Sequence, residues 1–193
     1  MASNSITLYP SKDSEFQNDS PDWNNGTSAT ISTGEEDISN TKYEMVVQFD
    51  LSSIPAQSFI ESATLKLVQY ADHAGGNGTL RTYRTTQSWG ETTVTYNNQP
   101  SYNTDSTGTT YLGNNIQGEK TVTIPTSLIQ NWIEGTWSNY GFYIRATHTD
   151  REFEANATDD RHVKFRSREY GTVAERPRLI VGYTPPGGSF IIW

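Results

Sequence analysis

The chain has 193 residues, no cysteine and a formal net charge of −8. That length is enough for one large all-β domain with its own core, and the lack of cysteine excludes disulfides and thiolate metal sites. The acidity argues against nucleic acid as a partner, because phosphates need net neutralisation, and the lack of a long apolar run argues against membrane insertion.

Strand signals recur along the chain at short spacing, separated by turn residues. Residues 5–9 read as a first strand. Residues 28–33 read as a second, after a polar loop that contains Pro21-Asp22-Trp23-Asn24-Asn25-Gly26. Residues 43–50 alternate strongly, with Tyr43, Met45, Val47 and Phe49 on one side and Glu44, Val46, Gln48 and Asp50 on the other. Residues 64–70 and 79–86 follow, bridged by Ala74-Gly75-Gly76-Asn77-Gly78, and then a short piece at 93–96. Residues 120–124, 141–147, 163–168 and 178–183 complete the set. One segment, 126–133, reads as a helix: Leu128, Ile129, Trp132 and Ile133 share a face, Pro125 precedes it and Gly135 ends it. A single short helix among so many strands predicts an all-β, two-sheet β-sandwich of jelly-roll type. The domain is expected over residues 1–183. Thr184-Pro185-Pro186-Gly187-Gly188 then opens a linker or further segment over 184–193. Met1-Ala2-Ser3-Asn4 lacks the features of a signal peptide. With the linker, this predicts a piece of a larger exported protein, placed outside the cell or on its surface.

The sequence carries no recognisable catalytic motif. His73, His148 and His162 are not spaced as metal-binding pairs and read as loop residues. No nucleophile elbow, zinc-protease or phosphate-loop motif occurs. The carboxylate runs Glu35-Glu36-Asp37 and Asp159-Asp160 sit in polar stretches. A glycosidase needs two carboxylates facing each other across a cleft, which spacing alone does not supply. The residues alone therefore give no reason to expect an enzyme. β-Sandwich binding modules often hold a structural calcium ion, and hard cations take oxygen ligands from loops. The loops 13–25 and 150–160 are the candidates, and Asp13, Asp19, Asp22 and Asp50 are the expected Ca2+ ligands, although the spacing is not that of an EF-hand.

The cations are unevenly placed. Residues 1–62 hold ten acids and two lysines, whereas residues 145–193 hold eight Arg/Lys and seven acids. In 162–170, Val163, Phe165 and Ser167 fall on one side and Lys164, Arg166 and Arg168 on the other. In 141–146, Phe142, Ile144 and Ala146 should point inward and Tyr143 and Arg145 outward. In 79–84, Leu80 and Thr82 should point inward and Arg81 and Tyr83 outward. If these strands share a sheet, Arg81, Tyr83, Tyr143, Arg145, Lys164, Arg166 and Arg168 line a groove for an acidic polysaccharide, with rings stacking on sugar faces and cations meeting carboxylates. The competing reading is a ladder of cross-strand ion pairs with Glu44, Asp50 or Glu169. Trp89, Trp132 and Trp137 read as packing residues. Trp23, in a loop without apolar neighbours, is open to either stacking or packing.

Five blocks in order carry a family resemblance: Ser20-Pro21-Asp22-Trp23-Asn24-Asn25-Gly26; Val47-Gln48-Phe49-Asp50-Leu51-Ser52-Ser53-Ile54-Pro55 followed by Ile60-Glu61-Ser62-Ala63-Thr64-Leu65-Lys66-Leu67; Ser88-Trp89-Gly90-Glu91-Thr92-Thr93-Val94-Thr95-Tyr96-Asn97-Asn98-Gln99-Pro100; Phe165-Arg166-Ser167-Arg168-Glu169; and Arg176-Pro177-Arg178-Leu179-Ile180-Val181. Over residues 5–183 the chain resembles the DNRLRE domain, also described as carbohydrate-binding module family 96 and related to disaggregatase repeats. The resemblance implies a noncatalytic jelly-roll module attached to other domains of a polysaccharide-degrading or cell-surface protein, including enzymes that act on uronic-acid-rich matrices. A structural or cell-surface interaction domain without a sugar ligand is the alternative. Tyr96 stands where the family more often has Trp, and the loop 147–162 is longer and more charged than usual, which makes it a possible binding edge. Because Ser167-Arg168-Glu169 belongs to the family signature, the resemblance implies that Arg168 and Glu169 support the fold and that Lys164 and Arg166 remain for a ligand.

Overall fold

The alternation of residues 43–50 gives one strand two faces, and the fold buries both. The computed structural model describes residues 3–36, 41–73, 78–113, 117–148 and 162–187. Its elements are β1 (Asn4–Leu8), β2 (Pro10–Gln17), β3 (Thr30–Glu36), β4 (Thr41–Phe49), β5 (Phe59–His73), β6 (Gly78–Thr85), β7 (Tyr102–Leu112), β8 (Gly118–Thr123), α1 (Thr126–Ile133), β9 (Phe142–His148), β10 (His162–Arg166) and β11 (Arg178–Thr184). The strands pair antiparallel throughout.

A first wall runs β1-β11-β5-β10-β3, with β8 also paired to β5. A second wall runs β3-β4-β9-β6-β7, with β2 also paired to β4. The main core lies between the walls. Leu65, Leu67, Val163, Phe165, Leu179 and Val181 come from the first wall, and Met45, Val47, Leu80, Phe142 and Ile144 from the second. Helix α1 packs Leu128, Ile129 and Trp132 into the same core. Its Gln130 side chain accepts a hydrogen bond from the Ile60 N–H at 3.0 Å and donates to the Ser58 carbonyl at 3.1 Å, which fixes the helix to the start of β5. The result is the expected β-sandwich with one short helix, its two walls joined into one curled antiparallel sheet.

The join is β3. Its first half, 30–33, pairs with β10, and its second half, 34–36, pairs with β4. Gly34 sits at the change with φ 120°, a value that L side chains rarely adopt. Just before it, the Thr33 hydroxyl accepts the Ala146 N–H at 3.0 Å and donates to the Ile144 carbonyl at 3.3 Å. A side chain thus continues the bonding of β9 at the point where β3 replaces it beside β4.

Two strands escape the sequence pattern. β2 holds Lys12, Asp13, Ser14 and Glu15 and reads as loop, yet it pairs along β4 and buries Asp13, Ser14, Glu15 and Phe16. β7 is rich in Thr and lacks an apolar alternation, yet it pairs along β6. The short strand expected at 93–96 is instead turn, followed by a 3-10 turn at Tyr96–Asn98.

Thr33→Val keeps the shape of the side chain but leaves the buried Ala146 N–H without its partner. It should cost about 1–3 kcal/mol of unfolding free energy in urea melts, whereas Thr33→Ser should retain most of that stability.

Candidate functional site

The strands β6 and β9 face Leu80, Thr82, Phe142, Ile144 and Ala146 inward, as alternation requires. Their register sets Arg81 opposite Arg145 and Tyr83 opposite Tyr143 on the other face. That outer face is not open to solvent along its length. Phe16, Val46, Tyr83, Trp89, Val94 and Tyr143 form a second core on it. Trp89 and Val94 come from the segment between β6 and β7, which folds over the second wall as a cover. The cover is fixed by the Thr86 N–H to the Ser101 carbonyl at 2.8 Å, the Asn97 N–H to the Pro21 carbonyl at 3.1 Å and the Trp89 indole N–H to the Tyr140 carbonyl at 2.9 Å.

Two expected binding residues are therefore corrected. Tyr143 is 0 % exposed and Tyr83 5 %. They point away from the main core, as expected, but they form the floor under the cover rather than a ligand surface. The Tyr143 hydroxyl bonds the Glu44 carboxylate and Gln99 Oε1, the latter at 2.6 Å. Burial and the Glu44 charge hold that phenol well above its usual range.

At the margin of the cover the face opens. Arg145 pairs through Nε with Glu44 at 2.8 Å and donates to the Tyr102 hydroxyl at 3.0 Å. The Tyr102 ring stacks on Tyr143 with centroids 4.2 Å apart. Tyr111 of β7 lies in register with Thr79, two residues from Arg81 and on the same side of the sheet, and is 56 % exposed. Arg81, Arg145, half-buried Tyr102 and exposed Tyr111 thus form a cationic and aromatic edge. The sequence does not single out Tyr102 and Tyr111, because β7 gives no strand signal.

Lys164 and Arg166 lie elsewhere. They sit on β10 opposite Ser32 and Thr30 of β3, in the first wall, so the expected residues do not line one groove. Arg166 is also not left free. Its guanidinium lies 4.1 Å from the Tyr70 ring centre and 3.9 Å from that of Tyr170, and Nε stands 3.4 Å from Glu175. Lys164 is half-buried and acts on Glu15. Burial pushes the Glu15 carboxyl up to about 7, against a 2.6 Å hydrogen bond from the Ser32 hydroxyl and the Lys164 charge. A carboxyl raised in the fold favours folding less as pH rises from the ordinary carboxylate range through 7. Of the exposed tryptophans, Trp23 is 39 % exposed, and Trp137, expected to pack, carries the Arg84 guanidinium 4.4 Å from its ring centre.

A network of charges sits where β2, the cover and the turn after β10 meet. Arg168 donates to both Glu91 carboxylate oxygens at 3.0 Å, and its Nε lies 3.1 Å from Glu169 Oε1. Its backbone N–H donates to Asp13 Oδ2 at 2.8 Å, and its guanidinium to the Ser11 carbonyl at 2.7 Å. The Asp13 N–H in turn donates to Glu91 Oε1 at 3.0 Å. The Asn24 amide braces the cover by donating to the Glu91 and Val94 carbonyls at 2.8 and 2.6 Å. Gly26 passes so close that a Cβ there would stand 2.0 Å from the Glu91 carbonyl oxygen. The expected Arg168–Glu169 pair is present, and Glu91 is the partner the sequence did not reveal.

The four expected calcium ligands do not converge. Asp19 and Asp22 are exposed, Asp22 accepting from the Asn97 amide at 2.8 Å. Asp50 is exposed and caps the Ser52 N–H at 2.9 Å, which lowers its pKa. Pairing of β2 along β4 carries Asp13 inward instead, beside Glu91 and Glu169, where one carboxylate oxygen of each lies within 4.8 Å of the others. The loop 150–160, most of the charged 147–162 edge and residues 188–193 of the expected linker lie outside the described residues.

Comparison of the sequence with family models gives a match to carbohydrate-binding module family 96 over residues 4–183. No curated protein matches the chain.

Removal of the Arg168 side chain should leave three carboxylates crowded together and loosen the cover. Arg168→Ala is expected to cost on the order of 3 kcal/mol in urea unfolding. Intrinsic tryptophan emission, compared with that of a Trp89→Phe chain to isolate the cover ring, should report its exposure in the same titration.

Proposed function

The chain belongs to carbohydrate-binding module family 96, and on that premise we propose that it is a noncatalytic module for an acidic, uronic-acid-containing polysaccharide, held at the edge formed by Arg81, Arg145, Tyr102 and Tyr111. The observation that carries this reading is the in-register pair Arg81 and Arg145 beside the exposed Tyr111 ring. Like charges set directly opposite each other across a strand pair are unfavourable. Glu44 compensates at Arg145, and a uronate carboxylate laid across the pair would add to that compensation. An exposed tyrosine supplies a flat apolar ring with a polar tip, the surface that a pyranose face stacks on. Arginine offers carboxylates two parallel donors.

Such a module acts by tethering. It would hold the other domains of its parent chain, outside the cell or at its surface, near a polymer they act on or adhere to, and so raise their effective concentration there. No described helix is long and apolar enough to cross a membrane.

One observation favours a second reading, a structural or cell-surface interaction domain without a sugar ligand. Many cations are matched internally: Arg145 with Glu44, Arg166 with Glu175, Arg168 with Glu91 and Glu169, and Lys66 and Arg178 with Glu119.

Affinity electrophoresis through gels containing a polyuronate or a neutral glucan separates the two. The module should be retarded by the polyuronate at low salt and released at about 1 M salt, where the Debye length falls to about 3 Å. Arg81→Ala and Tyr111→Ala should each weaken retardation about tenfold, with melting curves recorded alongside to verify folding. Equal retardation of both variants would move the site off this edge. No retardation of the parent chain by any polyuronate at low salt would leave the interaction-domain reading, and release of reducing sugar would overturn the noncatalytic one.

A further inference from the structure

Asp13 is 1 % exposed, and its Oδ2 receives the Arg168 backbone N–H. Its Oδ1 is buried and has no hydrogen-bond partner among the described residues. A buried carboxylate oxygen without a donor is costly, and Arg168 does not remove that cost. Its guanidinium is directed to Glu91, Glu169 and the Ser11 carbonyl and gives Asp13 no side-chain bond. The nearby Lys12 ammonium is held by the Trp89 carbonyl and lies 4.2 Å from the Trp89 ring centre. The guanidinium therefore serves two of the three carboxylates, and the third and most deeply buried, Asp13, keeps an oxygen unmatched.

The geometry fits a shared cation. A calcium ion binds oxygen at about 2.3–2.6 Å, so two oxygens on one ion stand no more than about twice that distance apart. One oxygen each from Asp13, Glu91 and Glu169 meets that limit, all three lying within 4.8 Å of one another. The donor set is all oxygen, which suits a hard cation. The flexible coordination of calcium suits a site drawn from three separate segments better than the strict octahedron of magnesium does. We propose that Asp13, Glu91 and Glu169 bind a calcium-class divalent cation that locks β2, the cover segment and the turn after β10 together.

The cation site stands independently of the sugar site, because none of its three carboxylates belongs to the Arg81–Tyr111 edge. The competing occupant is a proton on Asp13, which would need no metal. The test uses the full chain, stripped with a chelator and titrated with CaCl2 in a calorimeter at neutral pH, with thermal melts alongside. The expected result is saturable binding of one ion and a rise in melting temperature of about 5 °C or more at about 100-fold excess over Kd. MgCl2 should give a smaller rise. Asp13→Asn should abolish both signals. Because that variant changes a buried group, Glu169→Gln, at the more exposed side of the site, provides the second reading and should weaken calcium binding at least tenfold. Identical melts in chelator and in CaCl2 with no heat of binding would overturn the proposal in favour of a protonated Asp13. Unchanged calcium binding by Glu169→Gln would overturn the assignment of the ligands.

Discussion

The fold depends on covering an apolar face that lies outside the sandwich. β-Strands alternate, so a wall whose inner face enters the core normally shows water a polar outer face. Here the outer face of the second wall carries Phe16, Val46, Tyr83 and Tyr143. Burial of such side chains contributes roughly 1.5–3 kcal/mol each, but only if something excludes water from them. The segment between β6 and β7 does this with Trp89 and Val94 and with little regular structure of its own. Beyond a few backbone bonds such as that from Asn97 to Pro21, side chains hold it: Asn24 on the Glu91 and Val94 carbonyls, Arg168 on the Glu91 carboxylate, Lys12 on the Trp89 carbonyl. The ion pair at Arg168 is thus a fastener for a hydrophobic layer, and much of its value is the apolar area it keeps dry.

That arrangement divides the basic residues of the chain by role. Arg168 works inside the fastener, and Arg166 is held between the Tyr70 and Tyr170 rings. Arg81 and Arg145 sit where the cover ends, next to tyrosine rings that continue out of the second core. A binding edge placed there inherits its rigidity from the covered face: Arg145 is oriented by Glu44 and Tyr102, and Tyr102 by its stack on Tyr143. Preorganisation of this kind lowers the entropic cost of ordering side chains on a flexible polymer.

The legibility of the sequence varied from residue to residue. The faces of β4, β6 and β9 and the limits of α1 follow from periodicity. β2 and β7 did not show, since Pro10–Gln17 and Tyr102–Leu112 are mostly polar and owe their strand form to pairing with β4 and β6. Five ordered blocks pointed to the family, and three of them meet physically at the Arg168 network through Asn24 and Gly26, Glu91, and Arg168 with Glu169. The candidate groove was half legible. Arg81 and Arg145 do share a surface, whereas Lys164 and Arg166 belong to the other wall, because strand order is not written in the spacing of strands.

By itself the sequence determined what depends on near neighbours: which way the side chains of β4, β6 and β9 point, where α1 begins and ends, and that Arg168 and Glu169 stand side by side. Alternation and helical spacing are set by backbone geometry within a few residues. Only the tertiary structure decided whether a side chain pointing away from the main core meets water. Tyr143 does not, because the cover lies over it, and Tyr111 does. Only the tertiary structure brought Asp13 to Glu91 across 78 positions and to Arg168 across 155. Contacts at such separation arise from the pairing of whole strands, and no local pattern in the chain encodes them.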